Sequence, residues 1–151
     1  MSYKKIDSQK KVVIVYSSIT GNTESLATEI YHYCTLFQQN VTMSNISDFT
    51  YHQLINADAV LVGTYTWGDG ELPKEMLPLY RAFETMKRKT LVTGVFGTGD
   101  SFYPNFCGAV NEFRDMLYEK TSLAATLKVE LLPQSTDSIR CEKFVQAVLR
   151  K

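Results

Sequence analysis

The densest chemistry in this sequence lies between Tyr16 and Glu24, where Ser17, Ser18, Thr20, Asn22 and Thr23 crowd around Ile19 and Gly21. The set holds hydroxyls and one amide but no Lys or Arg, so it suits a phosphate held by neutral hydrogen-bond donors. The flanks say how these residues are placed. Val12-Val13-Ile14-Val15 is an unbroken apolar run, the pattern of a strand buried on both faces. Leu26, Ala27, Ile30, Tyr33, Cys34 and Phe37 then recur at helical spacing. The hydroxyl stretch is therefore a strand-to-helix turn, where the first N–H groups of the helix lack intrahelical partners and the dipole favours an anion. The alternative is an ordinary helix start with nothing bound.

Two further polar, Gly-bearing loops follow apolar runs. Residues 57–63 lead into Thr64-Tyr65-Thr66-Trp67-Gly68-Asp69-Gly70-Glu71-Leu72-Pro73, and Leu91 to Phe96 lead into Gly97-Thr98-Gly99-Asp100-Ser101-Phe102-Tyr103-Pro104. Trp67 is the only tryptophan. A large aromatic in a Gly-rich loop offers a stacking face for a flat ring, unless it folds back to cover the sheet edge. Tyr103 sits in a similar setting. Two aromatics beside a phosphate turn describe a slot for a planar, phosphorylated cofactor.

The remaining pattern supplies the scaffold. Val41 to Ile46 reads as a weaker strand, followed by a turn or short helix around residues 49–55. Met76, Tyr80, Phe83 and Met86 mark a helix whose Pro78 belongs near its start, where a missing N–H costs least. Phe106, Val110, Phe113 and Leu117 mark the next helix. Leu123 to Leu132 alternates like a strand near a sheet edge, and Cys141, Phe144, Val145, Val148 and Leu149 form a last helical stripe with Ser135 or Thr136 as its N-cap. Strand–helix alternation, repeated about five times, predicts an α/β fold: a parallel sheet with helices on both faces. Ligands of such sheets lie at the carboxyl ends of the strands, where the strand order reverses. All three loops belong on that edge.

Composition narrows the class. A chain of 151 residues with 44% apolar and 21% charged residues fits one soluble domain. Sixteen basic and sixteen acidic side chains cancel, so no global field recruits nucleic acid or an anionic membrane. Locally, Lys4, Lys5, Lys10 and Lys11 crowd the N-terminus, whereas Asp69, Glu71 and Glu75 outnumber Lys74 in residues 64–76. Cys34, Cys107 and Cys141 form no C-x-x-C pair, which predicts free, buried thiols in a reducing compartment. No signal-like segment or membrane-length apolar run is present, so a cytoplasmic location is expected. His32 and His52 lack metal-ligand spacing, and Met76, Phe83 and Phe113 read as core.

Taken together, the loops resemble those of the flavodoxins, specifically the short-chain type. Ser18-Ile19-Thr20-Gly21-Asn22-Thr23 is similar to the family's phosphate loop, Thr66-Trp67-Gly68-Asp69 to the loop whose Trp stacks on one flavin face, and Gly97 to Tyr103, with Phe106-Cys107-Gly108-Ala109, to the loop whose Tyr covers the other. The resemblance covers nearly the whole chain, 1–151, as a single FMN-binding domain, and implies a doubly wound five-stranded sheet of order 2-1-3-4-5. It implies that Ser17, Ser18, Ile19, Thr20, Gly21, Asn22 and Thr23 bind the FMN phosphate. Trp67 and Tyr103 would sandwich the flavin ring, Thr66 and Asp100 would contact the ribityl chain or ring edge, and the backbone of Thr98, Gly99 and Asp100 would hydrogen-bond the pyrimidine edge. Thr64, Tyr65, Gly68 and Asp69 would complete the cofactor site. Cys107 would pack beneath. A peptide that can turn its carbonyl toward the flavin after Gly68 would favour the half-reduced state, since glycine adopts the needed conformations freely. Acidic residues near an apolar slot disfavour a second negative charge, which implies a low potential for the second electron.

The implied function is a low-potential one-electron carrier, running transiently as a monomer between a flavoprotein reductase and electron-accepting enzymes, with no catalytic residue and no metal. Acidic loops opposite a lysine-rich edge would orient basic partners in a salt-dependent way. Ile19 and Tyr65 depart from the family's small hydroxyls; Ser17, Thr64 or the Tyr65 phenol are the expected substitutes. An FMN-dependent quinone reductase and an activator dedicated to one metalloenzyme are the rival readings. A phosphoacceptor receiver domain lacks its acidic residues here, since Tyr16-Ser17-Ser18 and Gly63-Thr64 stand at the strand ends.

Overall fold

The computed structural model describes residues 9–151, so Lys4 and Lys5 lie outside the described residues. Five strands, β1 (Lys11–Tyr16), β2 (Asn40–Asn45), β3 (Ala59–Tyr65), β4 (Val92–Gly99) and β5 (Ser122–Glu130), form one parallel sheet in the order β2-β1-β3-β4-β5. Helices α1 (Asn22–Leu36) and α4 (Ser135–Leu149) cover one face, and α2 (Leu77–Met86) and α3 (Gly108–Lys120) the other. Strand side chains alternate between faces. Val12, Ile14 and Tyr16 of β1 accordingly pack with α1 and α4, while Val13 and Val15 pack with α2 and α3. A strand used on both sides has no polar face to show, which is why its sequence is continuously apolar.

Close packing at the sheet centre depends on two missing side chains. A Cβ at Gly63 would lie 2.3 Å from the Phe96 ring, and one at Gly94 would lie 2.8 Å from Phe144. The two rings meet edge to face at 6.1 Å, and each contributes about 1.5–3 kcal/mol by burial. Met76, Phe83 and Phe113 are fully buried, as their helical spacing predicts.

Several boundaries differ from the sequence pattern. β3 and β4 run on into residues that read as loop, pairing Thr64 with Gly97 and Tyr65 with Thr98. Backbone ladders need no apolar side chains where strands leave the core. β5 stops at Glu130, and Leu131 turns into the left-handed region at φ 52°. Between β2 and β3 the chain makes two 3-10 turns, Ile46–Asp48 and Tyr51–Leu54, the second falling within the turn or short helix expected at 49–55, so the described residues contain four α-helices for five strands. The Arg88 guanidinium donates to the Leu54 and Ala57 carbonyls at 2.8 and 3.0 Å, pinning that connection. α4 is capped by Gln134, not by Ser135 or Thr136. Asp137 stands at the third helical position counted from Gln134 and takes its backbone N–H at 2.9 Å, completing a capping box that a later cap would lose.

Pro78 falls in the first turn of α2, as expected. All three cysteines are free and buried. Burial pushes the Cys34 thiol up to about 12 and Cys107 to about 11, and burial with Glu29 and Asp137 nearby pushes Cys141 to about 12.

Candidate functional site

Parallel pairing brings the carboxyl ends of β1, β3 and β4 side by side. At the end of β1 the Ser17 N–H donates to the Gly63 carbonyl at 3.0 Å. The chain then turns over Gly21, whose φ of 93° suits glycine and whose Cβ position is open space. The Gly21 N–H donates to Ser18 Oγ at 3.2 Å. No side chain caps α1, so among the described residues the N–H groups of Asn22, Thr23 and Glu24 keep their anion-binding capacity. An open cleft of about 260 Å³ lies against this turn, lined by Ser18, Ile19, Thr20, Asn22 and Thr23.

The same cleft is bordered by Tyr65, Thr66 and Trp67 from the second loop and by Thr98, Gly99 and Asp100 from the third. Trp67 and Glu71 exchange backbone hydrogen bonds at 2.9 and 2.7 Å across a tight turn, with Gly68 at φ 52° and Gly70 at φ 110°. Trp67 is 54% exposed, so it does not fold back over the sheet edge. Asp100 accepts the Phe102 N–H on Oδ1 at 2.9 Å and the Tyr103 N–H on its carbonyl at 3.1 Å, forming the turn that carries Tyr103, 61% exposed. Tyr103 borders an adjoining cleft of about 280 Å³ with Gly68, Asn105, Phe106 and Cys107, and this cleft shares Thr66, Gly99 and Asp100 with the first.

Each loop is tied to the other two. Thr23 and Thr98 share a buried hydroxyl hydrogen bond of 2.7 Å, joining the first loop to the third. The Ala109 N–H donates to Thr66 Oγ1 at 3.2 Å, and the Asn105 amide donates to the Asp69 carbonyl, joining the third to the second. Ser17 Oγ and the Tyr65 phenol both donate to Glu75 Oε2 at 2.7 Å, joining the first to the second. Burial alone would raise the Glu75 carboxyl, but these two hydrogen bonds, together with one from its own backbone, outweigh it and hold it below the ordinary range. Burial, together with the Glu75 hydrogen bond and charge, pushes the Tyr65 phenol up to about 12.

The structure thus gathers most of the expected residues around two adjoining clefts. Ser17, Gly21, Thr64 and Asp69 line neither. Thr64 is fully buried and its hydroxyl donates to the Tyr65 carbonyl at 2.8 Å. The three expected substitutes for a donor lost at Ile19 or Tyr65 therefore all donate elsewhere: Ser17 and Tyr65 to Glu75, Thr64 to backbone. Ile19 itself is 62% exposed. Three residues escaped the sequence reading. Leu131 lines the first cleft, with its N–H donating to the Gly99 carbonyl at 2.8 Å; as the residue after β5 it belongs on the same edge by the logic used for the loops. Asn105 meets Asp69 36 residues away and Glu75 meets Ser17 58 residues away, contacts that no local pattern signals.

A flat phosphorylated group fits this chemistry. The uncapped helix start and neutral hydroxyls could donate to a phosphate, and Trp67 and Tyr103 offer exposed ring faces. The described residues contain no cluster of His, Cys, Asp or Glu able to hold a metal ion. Sheet order and site together define a doubly wound α/β protein whose first strand-to-helix turn presents unpaired N–H groups and neutral hydroxyls to an open cleft. The family model for flavodoxins matches residues 14–143, and the chain belongs to that family of FMN-binding electron carriers. It is 37% identical to a probable flavodoxin of Bacillus subtilis over 142 residues, covering 92% of this chain and 90% of that one. The crystal structure of oxidised flavodoxin 2 from Bacillus cereus superposes with a TM-score of 0.85 at 34% identity, covering 93% of this chain and 98% of that one. The chain is also 30% identical over 151 residues to the sulfite reductase flavoprotein alpha-component of Mannheimia succiniciproducens, covering 96% of this chain and 25% of that longer protein. No helix among the described residues is long and apolar enough to cross a membrane.

Proposed function

We propose that residues 1–151 form one domain carrying electrons singly and at low potential between a flavoprotein reductase and acceptor enzymes, meeting each transiently as a monomer in the cytoplasm. The observation that carries this reading is the uncapped start of α1 facing a cleft of neutral donors, with two exposed aromatics on the adjoining loops. FMN, when bound, supplies the redox centre that accepts and releases the electrons.

The phosphate is held by the N–H groups opening α1 and by Ser18, Thr20 and Asn22, with the Ile19 backbone beside them. Gly21 sets the turn, and Ser17 and Thr23 brace it from behind. Thr66, Asp100 and the Gly99 backbone meet the polar part of the flavin, while Trp67 and Tyr103 flank its ring and exclude water. Thr98 holds Thr23 in place, Thr64 and Tyr65 carry the second loop on β3, and the Asp69 carbonyl anchors it to Asn105. Gly68 gives the following peptide its freedom to turn. Asp69, Glu71 and Asp100 place negative charge around the clefts, which opposes adding a second electron.

Fusion of a similar segment into a sulfite reductase flavoprotein supports a redox partner of that chemical kind. The free, buried thiols support a reducing compartment. Redox titration of the FMN-loaded protein is expected to give two separated one-electron waves, the second at more negative potential. A single two-electron wave, or a protein that FMN fails to colour, would overturn the reading. Sustained NAD(P)H:quinone turnover by the protein alone would favour the reductase alternative.

A further inference from the structure

We infer that Glu75 is a positioning residue: one of its carboxylate oxygens fixes the phosphate turn after β1 against the aromatic loop after β3. The inference rests on the FMN reading above. Ser17 Oγ and the Tyr65 phenol both donate to Glu75 Oε2, each at 2.7 Å. Ser17 is buried directly before the cleft-lining Ser18, and Tyr65 stands two residues before Trp67. Glu75 belongs to neither loop. It comes from the 3-10 turn Lys74–Met76, which leads into α2, and Met76 is fully buried in the core. The carboxylate is thus held on an element outside both loops and acts as a common anchor for the two. Two donors on a single charged acceptor are also among the stronger hydrogen bonds available.

The geometry changes the expected roles of two residues. The Ser17 proton is committed to Glu75, so Ser17 serves the phosphate by holding the turn and not by donating to it. Tyr65 likewise replaces a small hydroxyl with a phenol long enough to reach Glu75 and set the base of the Trp67 loop. A groove of about 350 Å³ bordered by Ile19, Tyr65, Trp67 and Glu75 runs beside this junction, so losing the tie frees space into which the Trp67 loop can fall.

Two substitutions separate position from charge. Glu75→Gln keeps an acceptor oxygen of the same reach, whereas Glu75→Ala removes it. FMN is titrated into flavin-free protein and followed by quenching of flavin fluorescence. Binding by Glu75→Gln is expected within about twofold of the unmodified protein, and Glu75→Ala is expected to bind about tenfold more weakly. Trp67 is the only tryptophan, so acrylamide quenching of its emission reports the loop without any flavin. Glu75→Ala should raise that quenching and Glu75→Gln restore it. If Glu75→Ala fails to fold, Tyr65→Phe removes one arm only and should weaken FMN binding about threefold or more. Equal FMN affinity in the Ala variant, or a Gln variant as weak as Ala, overturns the inference alone. Failure of the unmodified chain to bind FMN overturns the cofactor reading as well.

Discussion

Replacing Gly108 with Ala tests whether the loops after β3 and β4 are rigidly packed. A Cβ at Gly108 would lie 2.7 Å from both the Cα and the carbonyl oxygen of Gly70. Ordinary contact begins near 3.4 Å, so backbone must move by 3.4 minus 2.7, or 0.7 Å. The Gly70 loop has little slack to give. It is tied by the Asn105 bond to Asp69, by its own N–H to the Trp67 carbonyl at 3.2 Å, and by the Trp67–Glu71 pair. Overpacking of this kind costs about 1–3 kcal/mol, while Ala in place of Gly in the first turn of a helix returns up to about 1 kcal/mol. The net loss should be about 1–2 kcal/mol, or roughly 2–8 °C in Tm for a domain of this size. Urea and thermal unfolding of the flavin-free protein measure it without a contribution from cofactor affinity. Gly21→Ala is the contrasting variant: its Cβ meets nothing within 4 Å, so any cost comes from φ alone. An unchanged midpoint for Gly108→Ala would refute the argument that these two loops are rigidly packed against each other.

Two further outcomes follow from buried or partly buried hydrogen bonds. Thr23→Val and Thr98→Val each strand a buried hydroxyl of the 2.7 Å pair, so each single variant should lose about 1–2 kcal/mol in urea unfolding, with the double variant losing less than the sum. The Tyr65 phenol is raised from 10.0 to about 12, so its contribution to stability is present below about pH 10 and lost as pH rises toward about 12. Tyr65→Phe should flatten that part of the alkaline limb in pH-dependent unfolding; an identical slope would contradict the assignment.

Strands whose two faces are both buried were the most legible part of the chain, since Val12 to Val15 and Ala59 to Val62 admit no polar residue. The ends of β3 and β4 were illegible for the opposite reason. Thr64, Tyr65 and Thr98 satisfy a backbone ladder while their side chains serve the edge, so their types read as loop. The cap of α4 was missed because Gln134 is a weaker cap than Ser by type, and its partner Asp137 decides the matter. At the site, the three loops were visible as runs of hydroxyls, glycines and aromatics. Their ties were not. Thr23 meets Thr98 75 residues away, and Ser17 meets Glu75 58 residues away, joined only by strand order.

The burial of every thiol has a practical consequence for wiring this protein to a surface. With Cys107 at about 11 and Cys34 and Cys141 at about 12, the native thiolate fraction at neutral pH is on the order of one in ten thousand or less. Maleimides and gold would find almost nothing to react with. One cysteine introduced at Phe102, which is 93% exposed between Asp100 and Tyr103, would be the sole exposed thiol on the molecule. It would fasten the loop edge of the sheet toward an electrode in a single orientation, with no native cysteine to remove first.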